Sequence, residues 1–254
     1  MASISGYIWN KLNSDMNNIN FSQQSNYSTG VNVNSFMANV FAWMFLALAL
    51  TAGAAYYFAS DAALMSTLVT NTGLSGLGYV VMFAPLIFAF AMSAGFNRFS
   101  YNVLVILYVS YALIMGVSFS FILLAYTGAS IFKTFVICSA MYGVMAVVGY
   151  TTKADLSRMG SILMMALFGL IIASVVNYFM HSDTMSYIIS FIGVVIFTGL
   201  TAYDVQKLKE IAMGNAYPGE TMKKLVIMGA LSLYLDFINL FLFLLRFFGD
   251  RRND

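Results

Sequence analysis

The chain carries little charge. Only 9% of its 254 residues are Asp, Glu, Lys or Arg, against about 25% in an ordinary soluble domain. Hydrophobic residues make up 61% of the sequence, and its mean hydropathy is +0.82. These values exclude a soluble domain and indicate an integral membrane protein, so the lipid bilayer is its first expected partner. The basic residues are scattered, and the net charge of +2 indicates no nucleic-acid partner.

Cysteine and the common catalytic motifs are also scarce or missing. The single cysteine, Cys138, permits no disulfide within the chain and belongs to no cysteine-based metal motif. The sequence contains no HExxH, GxSxG, P-loop or dinucleotide fingerprint. We therefore expect neither an enzyme of the soluble type nor a resident cofactor.

The first 35 residues differ from the rest of the chain. They are rich in Asn, Ser and Gln and cannot bury enough apolar surface to fold alone. They lack the basic start, short apolar core and cleavage site of a signal peptide. The sequence thus predicts a flexible polar tail over 1–35, a transmembrane domain over 36–249, and a short C-terminal tail over 250–254.

Seven apolar segments are long enough to cross a bilayer as helices, which takes about 20 residues each. This predicts an all-α membrane protein with seven transmembrane helices and short connections between antiparallel neighbours. The continuous apolar runs exclude the alternating pattern of an outer-membrane barrel. The predicted spans are 36–58, 74–96, 102–124, 130–150, 160–180, 186–206 and 225–248.

Basic residues near the span ends predict the orientation. With a cytoplasmic N-terminus, eight Lys and Arg residues lie inside and four lie outside, which favours this arrangement. It places the C-terminus outside. The basic sequence RFFGDRRND at the C-terminus argues against that, and it leaves open a last segment that does not cross.

Two acidic residues lie within predicted membrane spans, where the side chains of a single helix would be surrounded by lipid. Asp204 lies near the end of the sixth span, and Thr201 precedes it by three residues on the same face. In the seventh span a mostly polar stripe recurs at spacings of four and three residues, and lipid cannot satisfy such a stripe. The seventh helix should therefore lie centrally in the bundle. The stripe consists of Ser232, Asp236, Asn239, Phe243 and Arg246.

Asp204 and Asp236 can lie at similar depths in the membrane, so their side chains could meet. If the hydrocarbon core begins near Gly229, Asp236 lies about 10 Å deep, close to the level of Asp204. Two carboxyls in a low-dielectric site cannot both be charged at low cost, so they would titrate as a coupled pair. Arg98, at the same end of the second span, could hold an ionised aspartate. Two carboxylates would give at most a weak Ca²⁺ site, because Ca²⁺ takes six to eight oxygens.

From the residue types alone, two roles remain open for these groups. They are structural hydrogen bonds that fix helix packing, or a site that handles ions or protons. An intramembrane aspartyl protease also uses two aspartates on adjacent helices. However, neither acid lies in a GxGD sequence.

Two motifs resemble a known family. FTGLTAYDVQKLKEI and, after a polar loop, ALSLYLDFINLFLFLLRFFG are similar to the signature of the Bax inhibitor motif family, whose bacterial members include YccA- and YetJ-like proteins. The resemblance implies a last helix wrapped by the other six. It implies a pH-sensitive calcium leak across a bacterial inner membrane. It also implies an aspartate pair as sensor, matching Asp204 and Asp236, and a latch arginine matching Arg98.

The resemblance carries an alternative function as well. Bacterial relatives resemble regulators of a membrane-bound AAA protease, and eukaryotic relatives are linked to suppression of cell death. The chain would then be an interaction protein without transport of its own. Thr201, Ser232 and Asn239 are predicted as supporting polar positions of the sensor. Calcium or protons are the predicted transient ligands.

Overall fold

A computed structural model of the chain describes residues 32–70, 73–214, 219–250 and 252. The predicted tail over 1–35 lies outside this part except for its last residues, where α1 already begins. Two two-residue strands, β1 and β2, pair antiparallel as a small hairpin. The helices within the described residues are α1 (Val33–Ser60), α2 (Ala62–Leu68), α3 (Gly76–Gly95), α4 (Tyr101–Ala125), α5 (Gly128–Thr151), α6 (Ser157–Met180), α7 (Asp183–Met213) and α8 (Glu220–Phe248), and the strands are β1 (Val69–Thr70) and β2 (Gly73–Leu74).

Seven of these helices are long and apolar enough to span a membrane, which confirms the predicted fold class. They are α1 and α3 to α8, and each coincides with one predicted span. The short helix α2 and the β1–β2 hairpin lie in the segment between the first two spans. No secondary structure was predicted for this segment from the sequence. Asp61 caps α2, because its carboxylate accepts from the Ala63 amide at 2.8 Å.

The last helix lies at the centre of the bundle, as predicted. Fifteen of its residues are buried, among them Tyr234, Leu240 and Leu244. It packs against α1, α4, α5 and α7, and more narrowly against α3. The exception is α6, which packs closely against α7 alone and faces α8 across a cavity. Six helices therefore surround α8, but one of them is separated from it by open space.

Hydrogen bonds identify which connections share an end of the bundle. At one end the Tyr101 amide, at the start of α4, donates to the Glu220 carboxylate at the start of α8 (2.9 Å). At the other end the Thr127 amide donates to the Asp250 carbonyl oxygen after α8 (3.2 Å). We call these the Lys207 end, after the residue of α7 that lies there, and the Asp250 end. Since α1 begins at the Lys207 end, α8 crosses the bundle and the chain leaves it on the opposite side.

Candidate functional site

Helices α6 and α7 are joined by a tight turn at the Asp250 end. His181 ends α6 in the left-handed conformation (φ 50°), and the Ser182 hydroxyl then caps α7 by accepting from the Met185 amide. The buried Asn177 stabilises this turn. Its side-chain nitrogen donates to the Ser186 hydroxyl at 2.7 Å, and its oxygen accepts from the Ser182 amide at 3.3 Å. The turn fixes α6 and α7 as antiparallel neighbours.

Polar side chains of α7 hold the α5–α6 loop at the Lys207 end. Gln206 accepts from the Leu156 amide at 2.8 Å and donates to the Ala154 carbonyl oxygen at 2.7 Å. Lys209 donates to the Tyr150 carbonyl oxygen at 2.7 Å. The residues YDVQKLK thus extend α7 beyond its apolar part. Within them, the side chains of Gln206 and Lys209 form hydrogen bonds with backbone groups of the preceding segment.

Glycines set the spacing of α7 from its neighbours. A Cβ on Gly149 of α5 would overlap the backbone of Ala202, so these helices cross at close range. A Cβ on Gly160 of α6 would lie 2.5 Å from the Tyr203 ring. Small residues therefore permit close helix contact, as expected in lipid. Gly143 is different, because nothing lies within 4 Å of its position for a Cβ.

A cavity of about 590 Å³ lies between α6, α7 and α8. Four of the five residues of the predicted polar stripe on α8 line it, which confirms the helical face read from the sequence. The fifth, Arg246, is exposed, with its guanidinium 6.0 Å from the centre of the Phe243 ring. The lining residues are Met164, Leu167, Leu170, Ile171, Ser174 and Val175 from α6, Phe197, Leu200, Tyr203, Asp204 and Lys207 from α7, and Ser232, Leu235, Asp236, Asn239 and Phe243 from α8.

The structure brings Asp204 and Asp236 together in this cavity. Both acids line the same cavity, one from α7 and one from α8. The Ser232 hydroxyl donates to Oδ2 of Asp204. Asp236 is only 6% exposed, and its Oδ2 has no hydrogen-bond partner among the described residues. Because ionised carboxylates only accept hydrogen bonds, the two acids can bond to each other only when one of them carries a proton.

Two donors of the helices around the acids bond to backbone carbonyl oxygens. The Tyr142 hydroxyl donates to the Leu233 carbonyl oxygen at 3.1 Å. The side-chain nitrogen of Asn239 donates to the Leu235 carbonyl oxygen at 2.8 Å. Asp236 thus keeps an acceptor that the surrounding protein does not use.

An aromatic contact forms part of the cavity wall on α7 and α8. The Phe243 ring stacks on the Phe197 ring with their centroids 5.7 Å apart. Gly193 makes room for it, because a Cβ there would lie 2.6 Å from the Phe243 ring. We call Phe197 and Phe243 the aromatic floor of the cavity.

Lys207 lies at the opposite limit of the cavity. It follows Asp204 by one helical turn and attracts that carboxylate electrostatically. Its side chain is exposed, with Nζ 5.8 Å from the centre of the Tyr203 ring. Neither residue is among the site residues predicted from the sequence, although the three-residue spacing of Lys207 from Asp204 is a signal that places both on one face of the helix.

Of the other predicted site residues, two line the cavity and two lie outside it. Asn239 and Ser232 line the cavity, as the stripe predicted. Thr201 is fully buried, but its hydroxyl donates to the Phe197 carbonyl oxygen within α7 (2.8 Å) and is not part of the cavity lining. Arg98 is exposed in the turn after α3 and forms no ion pair with any described residue. Its predicted role as a latch stays a prediction.

The donor set fits a passing cation better than a resident one. Among the described residues there is no group of three or more His, Cys, Asp or Glu side chains. Asp204, Asp236, Ser232 and Asn239 are the oxygen-bearing residues of α7 and α8 near the acids that line the cavity. Because Ca²⁺ takes six to eight oxygens, these side chains would hold it only with water completing the shell.

Comparison with known proteins agrees with this architecture. The family model described as "Inhibitor of apoptosis-promoting Bax1" matches residues 33–253. The chain belongs to the Bax inhibitor family. The match covers all the helices described above, including both acids, Lys207 and Arg98.

Relatives of this Bax inhibitor family protein align along nearly their whole length. "Inner membrane protein YbhL" of Escherichia coli (strain K12) is 44% identical over 219 residues, which is 86% of this chain and 92% of that protein. An uncharacterised protein of Rickettsia prowazekii is 45% identical over 220 residues, 86% of this chain and 90% of that protein. One of Borreliella burgdorferi is 41% identical over 221 residues, 87% and 94% respectively.

Proposed function

We propose that this protein is a cation leak of a bacterial inner membrane, that Ca²⁺ can use it, and that the Asp204–Asp236 pair makes it respond to pH. The Escherichia coli relative is named an inner membrane protein, which supports the same location for this chain. The balance of basic residues favours a cytoplasmic N-terminus, so the Lys207 end would face the cytoplasm. Cations would reach the acids from that side.

The observation that carries the proposal is the unsatisfied carboxylate oxygen of Asp236. A polar atom in this position destabilises the fold unless it has a partner. The same acid, facing Asp204 in a cavity, offers a mobile cation or a proton an attractive site. A wholly structural pair would be expected to have its acceptors satisfied by the protein.

Protonation would change the charge of the pair and hence its attraction for cations. With both acids ionised, the cavity contains two negative charges beside Lys207. With one proton bound, the acids can share a hydrogen bond and one charge is lost. Flux should therefore vary with pH over the range in which the pair titrates.

The aromatic floor determines what else must move. The stacked rings of Phe197 and Phe243 form part of the cavity lining on α7 and α8. In the proposed leak these rings would be the barrier toward the Asp250 end, and they would have to part when an ion passes.

Reconstitution in liposomes tests the proposal. Purified protein is placed in vesicles with an entrapped Ca²⁺ dye, and flux is measured from pH 5 to pH 8. Asp204→Asn and Asp236→Asn should remove most of the pH dependence. Asp155→Asn is the matched control, because Asp155 is an exposed acid at the same end. Hydrogen bonds from Ser157 lower the pKa of Asp155, so it stays ionised over this range.

Two results would contradict the proposal. One is wild-type protein that passes no Ca²⁺ at any pH. The other is an unchanged pH dependence in both cavity variants. The alternative function is control of a membrane-bound AAA protease, for which the polar tail over 1–35 would be an accessible segment; this tail lies largely outside the described residues. Deleting residues 1–31 should leave the leak intact, whereas tail-dependent control of membrane-protein degradation should be lost.

A further inference from the structure

Most of the cavity wall is hydrocarbon. Along α6, side chains from Met164 to Val175 line it over about 16 Å of helix. On α8, Leu235 adds to this apolar surface. The polar groups are concentrated around the two aspartates. A small inorganic cation uses the acids but makes no use of a long apolar wall.

The cavity is open toward the membrane between α6 and α8. Helix α6 packs closely against α7 alone, so no described helix covers the gap on its other side. Three residues that line the cavity from α6 are also exposed on the bundle surface: Met164 (42%), Ile171 (51%) and Val175 (55%). A molecule dissolved in the bilayer can therefore reach the cavity sideways, without passing Lys207.

Asp236 has an acceptor atom, Oδ2, that receives no hydrogen bond from any described residue. Asp236 is 94% buried, and the hydroxyl of Tyr142 and the amide of Asn239 donate elsewhere. A primary ammonium group supplies three N–H donors and one positive charge. With both acids ionised and Lys207 charged, one ammonium makes the site electrically neutral. Such charge-assisted hydrogen bonds are stronger than neutral ones.

We propose that the cavity binds a primary alkylammonium, with its ammonium between Asp204 and Asp236 and its hydrocarbon chain along the apolar wall of α6. The volume of about 590 Å³ lies within the range of about 300–1,000 Å³ common for small-molecule sites. The ligand chemistry is shared by free aliphatic amines and by lipids with a primary amine in the headgroup. This binding does not depend on the proposed leak.

A comparison of three dodecyl compounds tests the chemistry. Full-length protein in phosphatidylcholine nanodiscs is unfolded thermally with increasing amounts of dodecylamine, dodecanol or dodecyltrimethylammonium. Dodecylamine should raise the midpoint in a saturable way. Dodecanol lacks the charge and dodecyltrimethylammonium lacks the N–H donors, so both should have little effect.

Variants locate the binding site. Asp204→Asn and Asp236→Asn should each weaken dodecylamine binding by about tenfold or more. Asp155→Asn should bind as the wild type does, because this acid lies outside the cavity. Equal shifts with dodecanol, no saturable shift, or unchanged binding in both cavity variants would overturn the proposal. The thermal unfolding midpoint of each variant, measured without ligand, shows whether that variant is folded.

Native mass spectrometry separates the two sources of the amine. Wild-type protein released from membranes containing phosphatidylethanolamine should retain that lipid, and Asp236→Asn should lose it, if the ligand is a headgroup. Saturable dodecylamine binding without lipid retention supports a free amine. Retention of neither compound contradicts the site itself, whatever the outcome of the Ca²⁺ flux measurements.

Discussion

Replacing Asp236 by Asn should stabilise the protein. The substitution keeps the shape of the side chain and removes its charge. It also replaces one carboxylate oxygen with an amide nitrogen, which can donate to the neighbouring carboxylate of Asp204. The buried oxygen that lacks a partner in the wild type would thus become half of a hydrogen bond.

The size of the gain follows from the cost of the unpaired atom. An unsatisfied buried polar group destabilises a fold by about 1–3 kcal/mol. In a chain of this size each kcal/mol shifts the melting temperature by about 2–4 °C, which gives an expected rise of about 2–12 °C. The gain should be largest at alkaline pH, where both acids of the wild type are charged. It should shrink at acidic pH, where a protonated Asp236 can itself donate to Asp204.

Thermal unfolding in detergent at pH 5 and pH 8 measures this prediction. Asp155→Asn serves as the control, since it neutralises an exposed acid and should show no comparable pH-dependent gain. Destabilisation by Asp236→Asn, or a gain equal at the two pH values, would refute the reasoning. Either result would mean that the wild-type carboxylate has favourable partners that the structure does not reveal.

Four further substitutions test the packing and the latch. Gly149→Ala should lower stability by about 1–3 kcal/mol because the added methyl group overlaps the α7 backbone, whereas Gly143→Ala on the same helix should be neutral or slightly stabilising, as denaturation in detergent will show. Gly193→Ala should displace the Phe243 ring, from which its methyl group would lie 2.6 Å, and so raise Ca²⁺ flux in liposomes; unchanged flux would argue against the aromatic floor as a barrier. Arg98→Gln should leave the unfolding midpoint unchanged, because Arg98 has no ion-pair partner among the described residues; a clear loss of stability would indicate an unseen partner.

Hydropathy was sufficient to predict the seven long helices but not their full lengths. The sixth predicted span stops at residue 206, whereas α7 continues to Met213. The extension is polar, so a search for apolar runs misses it. Its side chains are held in place, because Gln206 bonds to the loop before α6 and Lys209 to the last turn of α5. Helix α2 was missed because seven residues are too few to produce a clear periodic pattern.

Spacing along single helices predicted part of the site. The stripe on α8 was read correctly because residues three and four apart share one face. Thr201 shows the limit of this approach, since an offset of three residues turns the side chain by about 60° around the helix axis. That rotation is sufficient to direct its hydroxyl into α7 instead of the cavity.

Contacts between helices could not be predicted in the same way. Residue numbers give the depth of Arg98 in the membrane but not the direction in which the α3–α4 turn faces. The participation of Tyr142 from α5 and of the apolar wall of α6 depends on how the helices pack around α8. No local pattern in either helix indicated that packing.

The two roles left open by the sequence predict opposite effects of Asp236→Asn on the stability of the protein. A structural hydrogen bond accounts for Asp204, whose Oδ2 accepts from Ser232. It does not account for Asp236, which contributes a buried acceptor that no described residue satisfies. If the pair exists to hold helices together, Asp236→Asn should weaken the bundle and leave any flux pH-dependent. If it exists to receive a mobile cation, the same variant should be more stable and should lose its response to pH. Stability and flux measured on this one variant therefore separate the roles, because only a functional acid is expected to be costly to the fold that contains it.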